Sequence, residues 1–335
     1  MMQTCIRVPK KEGETVRAAL FSKGILDTTK RIGSDDRSII LPLLADGYEG
    51  YEVIQAELES IEHSPTDYKD VLDIPDEMKS ELPTSFDIIG DVAIIKLPEI
   101  LEPYKQRIGE ALISVNRSIR AVMMDSGVKG DLRIRELEKI AGEGSTETIH
   151  KEFGVRMAID PSKVYFNPRL ATERSRIAAL VKEGETIIDM FAGVAPFGLV
   201  ISKTANPKVV YSIDVNSEAE RFVRKNMELN HIGNIIPITG DAAKVITNLP
   251  EADRVIMNLP QTADRYLANA LSKAKVGGTI HLHKLIERSE LDGFVEKIKE
   301  EAVSKGYCIF AENITELKSY SPSMSVYVLD IRREK

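Results

Sequence analysis

From about Lys163 onward the chain alternates short β-branched runs with longer stretches of helical periodicity, and this alternation leaves few folds open. ETIIDMF, KVVYSIDV, NIIPITGD, DRVIMNLP, GGTIHLHKL, GYCIFAENITEL and SVYVLDIR read as strands. PFGLVISKTA, SEAERFVRKNMELNHI, TADRYLANALSKA and LDGFVEKIKEEAVSKG read as the helices between them. Parallel strands need a long crossover, usually a helix, so the pattern builds a mainly parallel sheet with helices on both faces. The last two strands are close in sequence and predict a hairpin at the sheet edge. The fold class is therefore α/β, with a Rossmann-like domain of seven strands over residues 163–335.

Two smaller α+β units precede it. Residues 1–62 hold a helix in EGETVRAALFSKGIL, with Val16, Leu20 and Phe21 toward one face, and strands in SIILPLL and YEVIQAEL. Residues 63–80 are charged, contain prolines, and read as a linker passing into a short helix. Residues 81–162 open with two short strands around Gly90. A helix in EPYKQRIGEALISVNRSI is expected to end near DSGVKGD, and ETIHKEFGVRMAID suggests a strand pair turning at Gly154. The chain has 335 residues and a formal charge of −7. Its two cysteines, Cys5 and Cys308, form no disulfide framework or metal spacing, so a reduced, cytoplasmic setting is expected. Cys308 sits in an apolar run and is expected to be buried. No apolar run of signal-peptide or membrane-span length is present.

The stretch IIDMFAGVAPFGL, residues 187–199, crosses the first strand-to-helix turn. In open α/β sheets, ligands sit at the carboxyl ends of the strands near the order switch. The P-loop and the G-x-G-x-x-G fingerprint are both missing, and Phe191 and Phe197 would crowd a pyrophosphate. Asp189 and Gly193 shape the turn, and Gly193 permits close approach of the backbone to a ligand. Asp214 ends the next strand, 25 residues after Asp189, where a carboxylate can accept both ribose hydroxyls. Asp241 ends the strand after that and suits an adenine amino group. A nucleoside without phosphates is implied, and S-adenosyl-L-methionine fits. Asp214 and Asp241 could equally cap the helices that follow them. Asn258-Leu259-Pro260 ends the fourth strand, where an amide could orient a base beside a transferred methyl. An Asn-x-Pro turn is the plain alternative.

FDIIGDVAIIKLP (86–98), RIRELEKIAGE (133–143), TIHKEFG (148–154), VYFNPRLATER (164–174), DMFAGVAPF (189–197), IMNLP (256–260) and KSYSP (318–322) occur in one order. With them the chain resembles the archaeal and eukaryotic tRNA (guanine-N1)-methyltransferases that modify position 37, beside the anticodon. The resemblance implies a class I methyltransferase domain dependent on S-adenosyl-L-methionine. It implies Glu173 as general base, Arg133 against guanine O6 and Asn258 positioning the base. It places Arg174, Asp214, Val215, Asp241 and Ala242 along the cofactor pocket, and Tyr165 and Arg169 between cofactor and RNA. Arg135 and Lys318 fall within the same motifs and are assigned to tRNA. The N-terminal unit would reach the tRNA elbow. Ala195 stands where relatives often have Gly, and Asn167 where Ser is frequent. A bifunctional branch that also methylates a tricyclic guanosine derivative is understood to lack NLP.

The chemistry is consistent with those roles. N1 of guanine carries a proton at neutral pH, and a carboxylate, ideally of raised pKa, can remove it. A guanidinium can stabilise the charge that grows on O6. Residues 105–139 carry eight basic side chains against five acidic ones, a local excess in an acidic chain that suits RNA. The partner expected is tRNA, with no DNA, no membrane and a monomeric enzyme. No metal is expected: His281-x-His283 lacks a third ligand and reads as a pair of satisfied histidines. A thiol mechanism is excluded because no cysteine lies near NLP. Aminocarboxypropyl transfer in wyosine-type modification, and RNA binding by a protein with a relict pocket, are the rival functions.

Overall fold

The structure is a computed structural model describing residues 2–60, 67–130 and 134–335. It comprises two compact units, Met1–Val71 and Leu72–Lys335. The first contains β1 (Met2–Pro9), α1 (Gly13–Ser22), β2 (Gly33–Ser34), β3 (Ser38–Pro42) and β4 (Glu52–Glu57). Its antiparallel sheet has the order β2-β3-β1-β4. Val16 and Leu20 of α1 close over Ile6, Val8 and Leu41, whereas Phe21 is exposed rather than on the core face.

The second unit opens with α2 (Asp76–Lys79), β5 (Asp87–Ile89), β6 (Val92–Ile95), α3 (Lys105–Val115), β7 (Ala121–Lys129) and β8 (Ile134–Gly142). These strands form a sheet of order β5-β6-β7-β8 in which β6 and β7 are parallel, the chain crossing over through α3. The helix expected to run to DSGVKGD stops at Val115 instead. Ala121, Val122 and Met123 are buried on both faces of β7, so the run lacks the alternation that marks a half-buried strand.

The hairpin β9 (Thr148–Glu152) and β10 (Val155–Ile159) turns at Phe153 and Gly154, both at positive φ. Next come α4 (Ala171–Leu180), β11 (Thr186–Asp189), α5 (Pro196–Thr204), β12 (Val209–Asp214) and α6 (Ser217–Asn230). Two buried asparagines of α6 pair with the open edge of β10. Asn226 accepts from the Ala158 N–H at 2.6 Å and Asn230 from the Arg156 N–H at 2.8 Å. Each also donates to the carbonyl of the same residue. One core joins Val155, Met157 and Ile159 to Ile177, Leu199 and Phe222, so the divide placed at residue 162 falls within this unit.

The remaining elements are β13 (Ile235–Thr239), α7 (Ala242–Val245), β14 (Ala252–Met257), α8 (Leu267–Lys273), β15 (Ala274–Glu287), α9 (Leu291–Ser304), β16 (Ile309–Ser319) and β17 (Met324–Arg333). The seven-stranded sheet has the order β13-β12-β11-β14-β15-β17-β16. Its first five strands are parallel; β17 runs antiparallel to both β15 and β16. The order reverses between β11 and β14, where the sheet opens a crevice at the carboxyl ends of its strands. No helix of the described residues is long and apolar enough to cross a membrane.

Candidate active site

A cavity of about 620 Å³ occupies that crevice. Its walls are Met190–Gly193 after β11, Asp214 and Val215 after β12, Gly240–Ala242 after β13 and Asn258–Pro260 after β14, with Tyr165, Phe166 and Arg174 opposite. The first turn is tightly built. The Gly193 N–H donates to Asp214 Oδ2 at 2.7 Å, and the Ala192 N–H to the Ile213 carbonyl at 2.8 Å. Gly193 has φ +53°, and a Cβ there would lie 3.1 Å from the Tyr165 carbonyl oxygen. Ala195 is left-handed at φ 57° and caps α5, with Pro196 as its first residue. An L side chain is strained at this φ, which glycine would adopt freely.

Asp214 also accepts from the Asn216 N–H at 2.9 Å. Burial raises its pKa while the Asn216, Gly193 and Val215 amides oppose the rise. Asp241 caps α7 through the Ala243 N–H at 2.9 Å. Both carboxylates thus do local structural work as well as facing the cavity. A carboxylate offers about four acceptor positions, so each keeps capacity for a ligand hydroxyl or amine. Phe191 and Tyr266, in edge-to-face contact at 5.1 Å, add apolar wall. Among the described residues of the wall Arg174 is the one arginine or lysine, and a carboxylate neutralises it. An acidic, partly aromatic wall with no free cation among its described residues fits a nucleoside with a cationic tail.

Asp189 is wholly buried and is not part of the wall. Neither oxygen has a partner at hydrogen-bond geometry. Burial pushes its pKa up to about 7; the Phe191 N–H opposes this and the charge of Asp214 adds to it. Arg174 does reach the wall, but its guanidinium forms a buried two-point pair with Glu152 at 2.5 and 2.6 Å. It also donates to the Asn167 carbonyl at 3.1 Å and lies over the Phe166 ring. Asn167 caps the turn Pro168–Leu170 by accepting from the Arg169 N–H, a task serine performs equally well.

Of the three residues assigned to the chemistry, Asn258 lies on the wall and Arg133 lies outside the described residues. Glu173 is buried behind the wall. Its carboxylate receives two bonds from Arg176, at 2.7 and 2.8 Å, and His283 Nε2 lies 3.6 Å away. Burial pushes its pKa up, but the Arg176 bonds and then His283 pull it below the ordinary carboxylate range. A raised pKa was expected, so the structure differs here, and the cause is Arg176. Among the residues assigned to tRNA, Tyr165 is on the wall. Arg135 and Arg169 both bind Asp87, at 2.9 and 2.7 Å, and Arg135 also reaches Asp125 at 3.3 Å. Lys318 is exposed on the edge strand β16 and is not part of the cavity wall.

Sequence reasoning missed Asp87, Glu152, Arg176 and Asp330. Only Arg176 had a local signal, its i,i+3 spacing from Glu173 on α4. His281 is satisfied, between Asp330 at 2.5 Å and Arg254 at 2.8 Å. His283 is not: neither ring nitrogen has a hydrogen-bond partner, although both histidines are fully buried. Cys308 is exposed, because it precedes β16 instead of pointing into the core. Among the described residues no group of three or more metal-binding side chains occurs.

Comparison with known proteins places this geometry. Residues 148–310 match the TRM5/TYW2 methyltransferase domain, 68–146 the TYW2 N-terminal domain and 5–52 the tRNA methyltransferase 5 N-terminal domain. The tRNA (guanine(37)-N(1))-methyltransferase Trm5b of Pyrococcus abyssi is 40% identical over 333 residues, 99% of each chain. The chain belongs to the TRM5/TYW2 family. Within this family, a Methanocaldococcus jannaschii tRNA(Phe) (4-demethylwyosine(37)-C(7)) aminocarboxypropyltransferase is 31% identical over 74% of this chain and 97% of its own. The crystal structure of Pyrococcus abyssi Trm5b superposes with TM-score 0.85 at 39% identity, covering 100% of both chains. A complex of aTrm5 with tRNALeu superposes with TM-score 0.75 at 31% identity, covering 99% of both. M. jannaschii TYW2 in complex with AdoMet superposes with TM-score 0.57 at 26% identity, covering 74% of this chain and 100% of that one. The match to the methyltransferase domain begins at 148 and so takes in the β9–β10 hairpin.

Proposed function

We propose that this chain transfers a methyl group from S-adenosyl-L-methionine to N1 of guanosine 37 in tRNA. The observation that carries the proposal is full-length similarity to Trm5b, including the unit at residues 5–52. Within the site, Asp214 would accept the ribose hydroxyls and Asp241 the adenine amino group, while Phe191 and Val215 supply apolar contact. The cofactor supplies an electrophilic methyl on a sulfonium.

The protein must then do three things. Glu173 takes the N1 proton, so that the N–H bond breaks as the new N–C bond forms. Arg133 bears against O6, where negative charge gathers. Asn258, on the wall, holds the base edge in line with the methyl. Because Arg176 makes Glu173 a weak base, stabilisation of charge at O6 carries a correspondingly larger share of the barrier lowering. Tyr165 and Arg169 would separate cofactor from RNA.

The test is incubation with labelled cofactor and two unmodified tRNA transcripts, carrying guanosine or adenosine at position 37, with nucleosides resolved by mass spectrometry. N1-methylguanosine from the first transcript alone is the expected product. Glu173→Gln should bind cofactor normally and lose most turnover. Aminocarboxypropyl transfer draws support from the TYW2 N-terminal match at 68–146 and would give a heavier adduct. The aminocarboxypropyltransferase above, however, aligns with only 74% of the chain.

A further inference from the structure

Behind the cavity wall a line of charged and polar side chains crosses β14, β15 and β17 and ends on Glu173 of α4. Glu185 binds Arg254, which contacts His281 at 2.8 Å. His281 meets Asp330 at 2.5 Å. Asp330, on β17, holds Arg176 with two bonds at 2.8 and 3.0 Å, and Arg176 holds Glu173 with two more. The Arg176 guanidinium is thereby fixed between two carboxylates, one three residues and the other 154 residues from it in sequence. A surface i,i+3 pair swings freely; this one cannot, because Asp330 is itself buried and anchored by a fully buried histidine.

We infer that Arg176 and Asp330 are positioning residues for the reaction: Asp330 fixes Arg176, and Arg176 keeps the Glu173 carboxylate ionised and aimed. This rests on Glu173 acting as the base. The groups facing Glu173 are Arg176 from its own helix α4 and His283 from β15, with Asp330 of β17 behind Arg176. Phe197 of α5 stacks edge-on against His283 at 6.0 Å and brings no charge. Burial alone would leave Glu173 protonated at higher pH, and Arg176 is the larger of the two opposing influences. The sign follows. With Arg176 in place, turnover is insensitive to Glu173 titration above the ordinary carboxylate range. Without it, the acid limb moves upward into the neutral range.

The experiment is the pH dependence of single-turnover methylation of a guanosine-37 transcript, from pH 5.5 to 9, for wild type, Arg176→Gln, Arg176→Lys and Asp330→Asn. Cofactor binding and melting temperature are measured alongside. Arg176→Gln should shift the acid limb up by about three pH units, to near 7, so that its rate falls roughly tenfold relative to wild type at pH 6 and recovers toward wild type at pH 9. Arg176→Lys should restore part of the shift, since it returns a cation without the fork, and Asp330→Asn should give a smaller shift of the same sign. Should Arg176→Gln fail to fold, the other two variants carry the test. Profiles that superimpose on wild type after scaling, with Glu173→Gln inactive, overturn the positioning role and leave the base assignment standing. Wild-type turnover in Glu173→Gln overturns both.

Discussion

Glu152→Gln is the substitution whose consequence the structure specifies most closely. The change keeps shape and removes one charge. In the native protein the Arg174 and Glu152 side chains are 1% and 4% exposed, so the guanidinium left behind has no access to water. Breaking a buried pair from one side costs about 3–5 kcal/mol, chiefly through the uncompensated charge. At roughly 2–4 °C per kcal/mol for a unit of this size, the melting temperature should fall by about 6–20 °C. His150, 3.6 Å from Glu152, cannot replace the lost anion. The pH dependence has a definite sign. Burial pushes the Glu152 pKa up, but the Arg174 bonds bring it below its ordinary value. Its stabilisation is therefore complete above the unfolded value of about 4.3 and is lost as pH falls through the folded value. Calorimetry of ligand-free protein at pH 7.5, with urea unfolding in parallel, measures the loss. Replacing both residues by methionine should recover most of it, because removing both charges of a buried pair is close to neutral. A Glu152→Gln loss below about 1 kcal/mol, or a double variant no better than the single one, refutes the reasoning.

Four further outcomes follow from the same geometry. Asp189 has a folded pKa of about 7, above the unfolded carboxylate value, so its contribution to stability is complete below about pH 4 and lost as pH rises through 7. The melting temperature of Asp189→Asn relative to wild type should accordingly climb between pH 5 and pH 8 in ligand-free protein. Asp214→Asn should weaken S-adenosyl-L-methionine binding roughly tenfold or more by calorimetric titration and leave tRNA affinity within about twofold, since hydrogen bonds to a charged group contribute about 1.5–3 kcal/mol. Ala195→Gly relieves a left-handed alanine but loosens the unfolded chain, so the two effects of about 1 kcal/mol each nearly cancel and melting should hardly move. Ala195→Val adds bulk at a fully buried site and β-branching at the same φ, and should lower the melting temperature clearly.

The parallel strands β11 to β14 were legible because each is short, apolar and flanked by helical periodicity. β7 was not, since Ala121–Met123 is buried on both faces and shows neither period. The turn at Asp189–Pro196 could be located from its residues, yet its effect on Asp189 could not. Whether a strand-ending carboxylate faces a cavity or the sheet interior depends on the packing above it. The candidate chemistry was legible for Asn258, which a chain-local motif carries to the wall. For Glu173 the motif marked the residue and missed its environment, because Asp330 lies 154 residues beyond Arg176. His283 was grouped with His281 by spacing, but only His281 meets partners, supplied by β14 and β17.

The same distinction decides how the basic stretch at 105–139 should be weighed. Counting side chains gives an excess of positive charge, but counting pairs removes much of it. Lys105 binds Glu138, Arg120 binds Asp91, and Arg135 binds Asp87 and Asp125. A phosphate can claim such an arginine only by displacing its carboxylate, and the cost depends on exposure. Arg135 is 16% exposed, and its two carboxylates are equally enclosed, so exchange would strand buried charge. Arg169 shares Asp87 but is 42% exposed, where water screens the pair and holds it weakly. Exchange at Arg169 leaves Asp87 still compensated by Arg135, while exchange at Arg135 takes from Asp125 the one cation it meets among the described residues. Of Arg135 and Arg169, Arg169 is therefore the one whose charge a phosphate could claim at the lower cost, because Arg135 keeps Asp87 compensated.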